Sequence, residues 1–267
     1  MSMTMNVAAV AVLMDAGATK FLAHSPSSRE LLKSATLLGS LQVNVLIEGE
    51  EGVGKTTLAK EILQDFEILD LSRVQKKEHQ NLHSKPILLK DFESLQHDET
   101  FLSWLKRYDG RIVATSKTPI HSALMDDIFG VVLFVAPLRE REEDVEVLKG
   151  LFIQQAKDFF GLDENLKVDI KKSRIDLNKN AKSLKKSIFL HLFQQQLSPQ
   201  EFLNVVENFL LGQLSGEDDY KKLLYLFDAP IIKAAMHKQK SQLKAAKMLG
   251  INRNTLRKKI HEVKRYL

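Results

Sequence analysis

Residues 49–56 read Gly49-Glu50-Glu51-Gly52-Val53-Gly54-Lys55-Thr56 and fit G-x-x-x-x-G-K-[ST], the pattern of a phosphate-binding P-loop. The run at 43–48 before it is apolar and β-branched, which predicts a buried strand. Residues 57–63 behind it carry apolar side chains at helical spacing. Glycines let the backbone wrap closely around phosphates, and the N-terminus of the helix adds a partial positive charge. The stretch therefore predicts a strand, a phosphate loop and a helix in succession.

Two residues of this loop have individual chemical roles. Lys55 is expected to reach the β- and γ-phosphates of ATP, and the Thr56 hydroxyl is expected to ligate Mg²⁺. An ordinary glycine turn is the alternative, but it does not require all the motif positions to be filled. The predicted cofactors are ATP and Mg²⁺. The predicted nucleotide-binding residues are Gly49, Glu50, Glu51, Gly52, Val53, Gly54, Lys55, Thr56 and Thr57.

The composition is that of a globular protein, with 267 residues, 44% hydrophobic and 27% charged. The chain has no Cys, which excludes disulfides and thiolate zinc sites and suits a reducing cytosol. The eight His are scattered without metal-ligand spacing. The apolar segment 6–14 is too short to span a bilayer, and no Lys or Arg precedes it. We therefore expect a short strand or buried segment there, and a cytoplasmic protein.

The charge is unevenly distributed along the chain. Residues 220–267 hold 13 Lys/Arg against 2 Asp/Glu, a net of +11. The other 219 residues hold 26 Lys/Arg and 32 Asp/Glu and sum to −6, which gives the overall +5. A basic tail on a mildly acidic body predicts a module that binds a polyanion.

Strand-like and helix-like segments alternate around the P-loop. An entry helix is predicted over Phe21 to Ser40, with a helix start at 25–30 and Gly39 closing it. The polar segment 75–85 predicts a helix or a loop. Repeated alternation with apolar strands predicts a parallel sheet covered by helices up to about Pro137. Further strands are predicted at 66–71, 86–91, 111–116 and 131–135, and a helix at 100–108.

Three stretches carry a family resemblance. They are Phe21-Leu22-Ala23-His24-Ser25-Pro26-Ser27-Ser28, Val45-Leu46-Ile47-Glu48-Gly49-Glu50 and Ala136-Pro137-Leu138-Arg139-Glu140-Arg141-Glu142-Glu143-Asp144-Val145. Over about 21–210 the chain resembles the central AAA+ domain of the sigma-54-dependent, NtrC-like activators. The resemblance implies an N-terminal extension at 1–20, an AAA+ P-loop core at 21–145 and a helical lid at 146–214.

The chain departs from this family where ATP is hydrolysed. The resemblance places Lys90 at the metal-holding Asp and Asp91 at the catalytic Glu. With a slip of one residue Asp91 becomes the metal ligand, and Phe92 then takes the catalytic position. Either way one carboxylate is missing, so we assign no catalytic residue to this degenerate Walker B site and keep Asp91 as the alternative Mg²⁺ ligand.

Other departures point the same way. The polar sensor position falls at Lys117 and the sensor Arg at Glu201, and 119–130, where finger arginines are expected, has no Arg. The family inserts a loop with G-A-F-T-G-A between Walker A and Walker B, whereas here only 57–86 separates them. Phosphoryl transfer needs a metal, a positioned water and cationic charge on the γ-phosphate. We therefore expect ATP binding with weak or absent hydrolysis.

The lid region contains two apolar helical stripes. One includes Leu148, Phe152 and Ala156, and the other includes Phe202, Val205 and Phe209. Between them, the Lys-rich segment 167–186 is either a second nucleic-acid patch or a solvated face, and the second is favoured. Arg139, Glu140 and Arg141 are expected to form structural ion pairs rather than to act in catalysis, and Trp104 is expected in the core. Residues 212–219 predict a linker.

The segment 220–267 predicts a helix-turn-helix DNA-binding domain. Helices are predicted at 230–238, at 241–249 with Ser241 as cap and Gly250 as stop, and at 253–263 with Asn252 as cap. The stretch 243–259 resembles the DNA-binding domain of Fis, which also ends the sigma-54-dependent activators. The predicted DNA-binding residues are Ser241, Gln242, Asn252, Arg253, Asn254, Thr255, Arg257, Lys258 and Lys259.

Together these observations predict an α/β P-loop (AAA+) parallel sheet with a helical lid, followed by an all-α helix-turn-helix domain. The favoured function is that of an ATP-binding, sequence-specific, double-stranded DNA-binding transcription regulator. It is expected to be a homo-oligomer, either a dimer through the DNA-binding domain or a larger ring. Contact with RNA polymerase stays open, as do two alternatives: an active ATPase that activates sigma-54 polymerase, and an architectural DNA-binding protein with an inert AAA+ remnant.

Overall fold

A computed structural model describes residues 20–72, 85–95, 97–120, 127–171 and 174–266. The predictions at 6–14 and over most of 75–85 lie outside this range, as do six positions of the stretch 119–130. The chain forms two compact units that divide between Gln196 and Leu197. The predicted lid, 146–214, extends across this division.

The first unit is built on a five-stranded parallel sheet of order β2-β3-β4-β1-β5. Its strands are β1 (Val45–Glu48), β2 (Glu67–Asp70), β3 (Ile87–Lys90), β4 (Ile112–Ser116) and β5 (Val131–Phe134). Its helices are α1 (Pro26–Gly39), α2 (Lys55–Ile62), α3 (Glu99–Leu105), α4 (Glu142–Phe160) and α5 (Asn180–Gln196). The predicted strands and the parallel sheet are confirmed, with ends that differ by one or two residues.

Apolar clusters cover both faces of this sheet. Val45 and Ile47 of β1 pack into a cluster with residues of α1 and α2, whereas Leu46 packs into the opposite cluster with residues of α3. Side chains of a strand alternate between the two faces, so a run of consecutive apolar residues is what a doubly covered strand requires. The β1 strand is therefore fixed from both sides, and the loop that follows it starts from a rigid position.

The helices α4 and α5 pack on each other around a third cluster. The stripe predicted in α4 is buried at Leu148, Phe152 and Ala156. Lys185 of the Lys-rich segment is buried as well, and its ammonium lies 5.4 Å from the centroid of the Phe189 ring. A short 3₁₀ turn at Leu138–Glu140 leads into α4 from the sheet.

Over 197–266, the part that the structure describes, the second unit consists of helices and their connections. The helices are α6 (Pro199–Leu211), α7 (Asp219–Leu223), α8 (Tyr225–Gln239), α9 (Gln242–Met248) and α10 (Arg253–Glu262). The prediction that a helix starts at Pro230 is wrong, because α8 begins at Tyr225 and contains Pro230. Its early residues are held by packing, since Tyr225 lies against the cluster that α8, α9 and α10 share.

Two other predictions in the second unit have different outcomes. Asn252 caps α10 as expected, and its Oδ1 accepts a hydrogen bond of 2.7 Å from Thr255 N. Ser241 holds the N-cap position of α9 only through its carbonyl, which accepts from Ala245 N at 2.8 Å, and its side chain makes no cap hydrogen bond. In α6 the predicted apolar stripe is present, but no residue of the helix is buried.

Candidate nucleotide site and nucleic-acid interface

The P-loop has the backbone shape that its glycines predict. Gly49, Gly52 and Gly54 have φ angles of 149°, 79° and 105°, which side-chain-bearing residues rarely adopt. A Cβ on Gly49 would lie 2.6 Å from the carbonyl oxygen of Val135, and one on Gly54 would lie 3.2 Å from the Phe21 ring. A side chain at any of the three positions would strain the backbone, and one at Gly49 would also collide with the Val135 carbonyl.

Lys55 begins α2 and points back into the loop. Its Nζ donates to the carbonyl oxygens of Gly49 at 2.5 Å and Glu50 at 2.8 Å. Burial lowers the pKa of this ammonium to about 8, partly opposed by the nearby carboxylates of Glu93 and Asp91. The first N–H groups of a helix have no partner within the helix. The loop thus brings an ammonium and the amides of the first turn of α2 to one place, with Thr56 and Thr57 half-buried beside them.

The outer side of the loop is held by a charged pair. Arg139 donates two hydrogen bonds to the Glu50 carboxylate, at 2.8 and 2.6 Å, and Asn180 Nδ2 donates a third at 3.2 Å. The Arg139 and Asn180 hydrogen bonds lower the pKa of Glu50 to about 2. Arg139 is therefore a structural partner of the loop, as expected from the sequence.

The start of α5 also lies against the loop. Ala181 N donates to the Gly52 carbonyl at 3.1 Å, and Asn180 Nδ2 donates to the Glu51 carbonyl at 3.0 Å. Lys182 Nζ lies 3.0 Å from the Glu51 carboxylate. These contacts join residues far apart in the chain, and the sequence analysis did not assign them. No helix at Asn180–Gln196 was predicted from the sequence, so no local signal pointed to these contacts.

A buried ion pair anchors three segments around the loop. Arg141 Nη1 lies 3.3 Å from Asp144 Oδ2, and Arg141 Nη2 donates to the Val53 carbonyl at 2.9 Å. Asp144 also accepts from the amides of His24 at 2.6 Å and Ser25 at 2.8 Å. The stretch before α1, the P-loop and α4 are thus tied to one another. The predicted structural role of Arg141 agrees with this arrangement.

The residues predicted to form a degenerate Walker B site, Lys90 and Asp91, lie at the carboxyl edge of the sheet. Lys90 ends β3, and Asp91 follows it with a left-handed φ of 56°. Lys117, the residue after β4, places its Nζ 3.0 Å from Asp91 Oδ1 and 3.9 Å from Glu93 Oε1. Its backbone N–H also donates to Glu93 Oε2 at 3.2 Å.

This edge fits Mg²⁺ poorly. Asp91, the alternative metal ligand, already forms an ion pair with Lys117. Among the residues that the structure describes, no three His, Asp or Glu side chains are grouped to hold a metal ion. Of the two predicted Mg²⁺ ligands, Asp91 is occupied by Lys117 and Thr56 is left. Glu201, at the predicted sensor position, instead caps α6 in a reciprocal pair with Ser198.

The helix-turn-helix presents one continuous polar face. Arg253, Asn254, Arg257 and Lys258 of α10 are exposed, while Leu256 is fully buried. His261 is exposed as well and continues the spacing of Arg253 and Arg257 by four residues; the sequence analysis did not select it. In α9 and its flanks, Gln242 and Asn252 are exposed and Ser241 is half-buried.

Two residues predicted to contact DNA lie at the border of this face. Thr255 and Lys259 are half-buried, and Lys259 Nζ lies 2.6 Å from Asp228 Oδ2 of α8. Lys258 is free to project outward, with Glu262 3.9 Å away. The charge of Lys259 is thus partly neutralised within the domain, whereas that of Lys258 is on the surface.

Comparisons with known proteins identify two segments. Residues 21–84 match the family model of the sigma-54 interaction domain, and residues 224–262 match that of the Fis family of bacterial regulatory proteins. The DNA-binding protein Fis of Aliivibrio fischeri, like that of Aliivibrio salmonicida, is 46% identical over 54 residues. The match covers 19% of this chain and 55% of the relative, so the chain spans about half the length of the curated relatives it matches.

Solved structures show the same fold. NtrX from Brucella abortus, crystallised with ADP, superposes with a TM-score of 0.60 at 13% identity, over 96% of this chain and 71% of that one. Its complex with ATP gives a TM-score of 0.59 at 14% identity, over 96% and 72% of the two chains. No helix within the described residues has the length and apolar character to cross a membrane. The predicted fold class is confirmed, and the predicted resemblance is confirmed in two segments, one matching the sigma-54 interaction domain and the other the Fis family.

Proposed function

We propose that this chain is a cytoplasmic, ATP-binding and sequence-specific DNA-binding transcription regulator that hydrolyses ATP slowly or not at all. One observation carries the proposal: the same chain has a formed P-loop at the head of α2 and an exposed basic face on a Fis-type helix. The first feature suits phosphates, and the second suits the edges and backbone of duplex DNA.

The nucleotide site uses the loop and the first turn of α2. The phosphate chain accepts hydrogen bonds from the loop amides, and Lys55 exchanges its two carbonyl partners for phosphate oxygens. Of the two predicted Mg²⁺ ligands only the Thr56 hydroxyl is left, because Asp91 is engaged by Lys117. NtrX, which shares the fold, was crystallised with ADP and with ATP.

Hydrolysis lacks most of its usual groups. By the resemblance, Lys90 and Asp91 fall where the family has two carboxylates, and Glu201 falls at its sensor Arg. In the structure Asp91 is ion-paired with Lys117 and Glu201 caps α6. An arginine finger alone is worth roughly 10³–10⁵ in rate. The segment 57–86 also lacks the G-A-F-T-G-A loop with which the family grips the sigma factor. We therefore place this protein outside the class of polymerase-remodelling motors.

DNA binding uses α10 of two copies. A dimer through the DNA-binding domain presents two such helices, so a pseudo-palindromic site with half-sites about one helical turn apart is expected. Arg253, Asn254 and Arg257 lie on the exposed face and are suited to read base edges. Lys258 is suited to contact phosphate.

Thermal melts of the full chain with and without millimolar ATP test the nucleotide site. A ligand that binds only the folded state raises its apparent stability by RT ln(1 + [L]/Kd). We expect a rise with the wild type and with Lys60→Ala, which alters an exposed lysine later in α2. We expect no rise with Lys55→Ala. Equal thermal shifts in Lys55→Ala and the wild type contradict the nucleotide site. In a separate assay, ATP turnover of about 1 s⁻¹ by the purified protein contradicts weak hydrolysis.

Electrophoretic mobility shifts test the DNA interface. The full chain should bind duplex DNA, and selection from random duplexes should return sites with two-fold symmetry. Arg257→Ala should reduce the preference for the selected site, by about 1–3 kcal/mol for a base-reading contact. Lys233→Ala, which removes an exposed lysine from α8, is the matched control and should keep that preference. Failure to bind any duplex at low salt refutes the DNA-binding function.

A further inference from the structure

An ammonium group occupies the edge of the sheet where the family is expected to hold a metal. The strand order places β4 between β3 and β1, so Lys117 follows a strand that lies between Asp91 and the P-loop. The connection to the loop is direct, because Gly49 N donates to the carbonyl of Ser116 at 3.2 Å. Lys117 therefore lies at the same edge as the phosphate-binding loop, next to the residue after Walker B.

We propose that the P-loop binds nucleoside triphosphate without a divalent cation, and that the Lys117 ammonium supplies the second positive charge beside Lys55. This inference rests on the proposed nucleotide binding and specifies how the charge of the phosphates is balanced. The usual P-loop site uses one lysine and one Mg²⁺ for this purpose. Here the two charges come from two lysines of the chain, and Asp91 and Glu93 offset part of the charge of Lys117.

Lys117 is fixed in place by two carboxylates. Its Nζ lies 3.0 Å from Asp91 Oδ1 and 3.9 Å from Glu93 Oε1, and its backbone amide donates to Glu93 as well. The hydrogen bond with Asp91 raises the pKa of Lys117, so the group stays charged at neutral pH. Its charge is also felt by Lys55, whose pKa it helps to lower after burial. Lys117 directly follows Ser116, whose carbonyl accepts from Gly49 N of the loop, so the two lysines are carried by neighbouring strand ends.

The same arrangement disfavours Mg²⁺. A divalent cation held by Asp91 would have to break the ion pair with Lys117 and would then lie next to an ammonium of like charge. Mg²⁺ also demands nearly ideal octahedral geometry with oxygen ligands, and it loses its water reluctantly. Thr56 offers a single hydroxyl, and Lys90 stands at the family's metal-holding position. The Lys117 ammonium therefore takes the place of the metal ion beside Asp91.

Titration calorimetry of the full chain with ATP, in EDTA and in excess MgCl₂, tests the inference. We expect the wild type to bind ATP in EDTA with a Kd within about threefold of that in Mg²⁺, a difference well under 1 kcal/mol. We expect Lys117→Ala to weaken binding in EDTA by roughly tenfold or more, because a charge-assisted contact is lost. Lys117→Arg should restore most of it, and Lys60→Ala should match the wild type.

The outcomes separate this inference from the function on which it rests. Binding that requires Mg²⁺ overturns the inference and leaves nucleotide binding intact. No binding in either buffer overturns the proposed nucleotide function itself. Unchanged affinity of Lys117→Ala in EDTA shows that another group balances the phosphate charge, and this also overturns the inference. If Lys117→Ala does not fold, the wild-type comparison of the two buffers together with Lys117→Arg decides the question.

Discussion

Arg141 and Asp144 form an ion pair in a place where both side chains are almost completely removed from solvent, with 3% and 0% of their surfaces exposed. A buried pair of this kind is held together by the other hydrogen bonds of its members. Asp144 accepts from His24 and Ser25, and Arg141 donates to the Val53 carbonyl of the P-loop. The ion pair therefore holds the P-loop in position and has no direct role in a reaction.

Removal of one partner of this pair should destabilise the first unit. Asp144→Ala leaves a buried guanidinium without its counter-ion, and such losses cost about 3–5 kcal/mol. Urea unfolding followed by tryptophan fluorescence measures this, since Trp104 is the only Trp in the chain. Glu146→Ala, on the exposed side of the same helix, should change the free energy of unfolding by less than about 0.5 kcal/mol.

Gly52→Ala should weaken both the loop and its contact with α5. Gly52 has a φ of 79°, and an added Cβ would collide with the Lys179 carbonyl. Strain of this kind costs about 1–3 kcal/mol, and the displaced loop should bind ATP more weakly. Gly150→Ala is the matched control, because nothing lies within 4 Å of its Cβ position in α4. It should stabilise the chain by about 0.5–1 kcal/mol.

The contribution of Glu50 to stability should depend on pH. Its pKa is lowered from 4.5 to about 2, chiefly by the hydrogen bonds from Arg139 and Asn180. A depressed carboxyl pKa contributes stability that is present above the unfolded value of 4.5 and is lost as the pH falls towards about 2. The stability difference between the wild type and Glu50→Gln should thus be constant above about pH 5.5 and shrink below it. A stability difference that grows as the pH falls would contradict the stabilising role of the hydrogen bonds from Arg139 and Asn180 to Glu50.

Lys258 and Lys259 should behave differently although they are adjacent. Lys258→Ala removes an exposed charge and should reduce the slope of log K against log salt by about 0.9 for duplex DNA. Lys259→Ala breaks the contact with Asp228 and should lower the stability of the helical unit by up to about 1 kcal/mol, with little change of slope. Salt titrations and thermal melts of both variants distinguish these effects. Identical slopes for the two variants would contradict this assignment.

The sequence predicted those parts of the structure that depend on local patterns. The strand before Gly49, the cap at Asn252 and the stop at Gly250 follow from residue type and spacing within one or two helical turns. The predicted helix start at Pro230 is wrong, because packing of Tyr225 outweighs the preference of proline for a helix start. Contacts between residues distant in the chain decide where such a helix begins, and a few neighbouring residues of the sequence do not reveal them.

The unpredicted parts of the site are pairs of residues that are distant in the chain. Arg139 with Glu50, Lys117 with Asp91 and Lys259 with Asp228 become neighbours only when the fold is complete. For Lys117 the sequence showed a missing polar sensor, whereas the structure shows an ammonium held by two carboxylates. A residue that departs from a family motif can thus bring a different charged group to the same place in the fold.

The hydrogen bond from Ala181 N to the Gly52 carbonyl couples the start of α5 to the phosphate loop. A loop that rearranges around a ligand must either carry the first turn of α5 with it or release it. Ligands shift such an equilibrium only through their different affinity for the two arrangements. The exchange of the Ala181 amide proton with solvent therefore reports whether its hydrogen bond to the Gly52 carbonyl is formed.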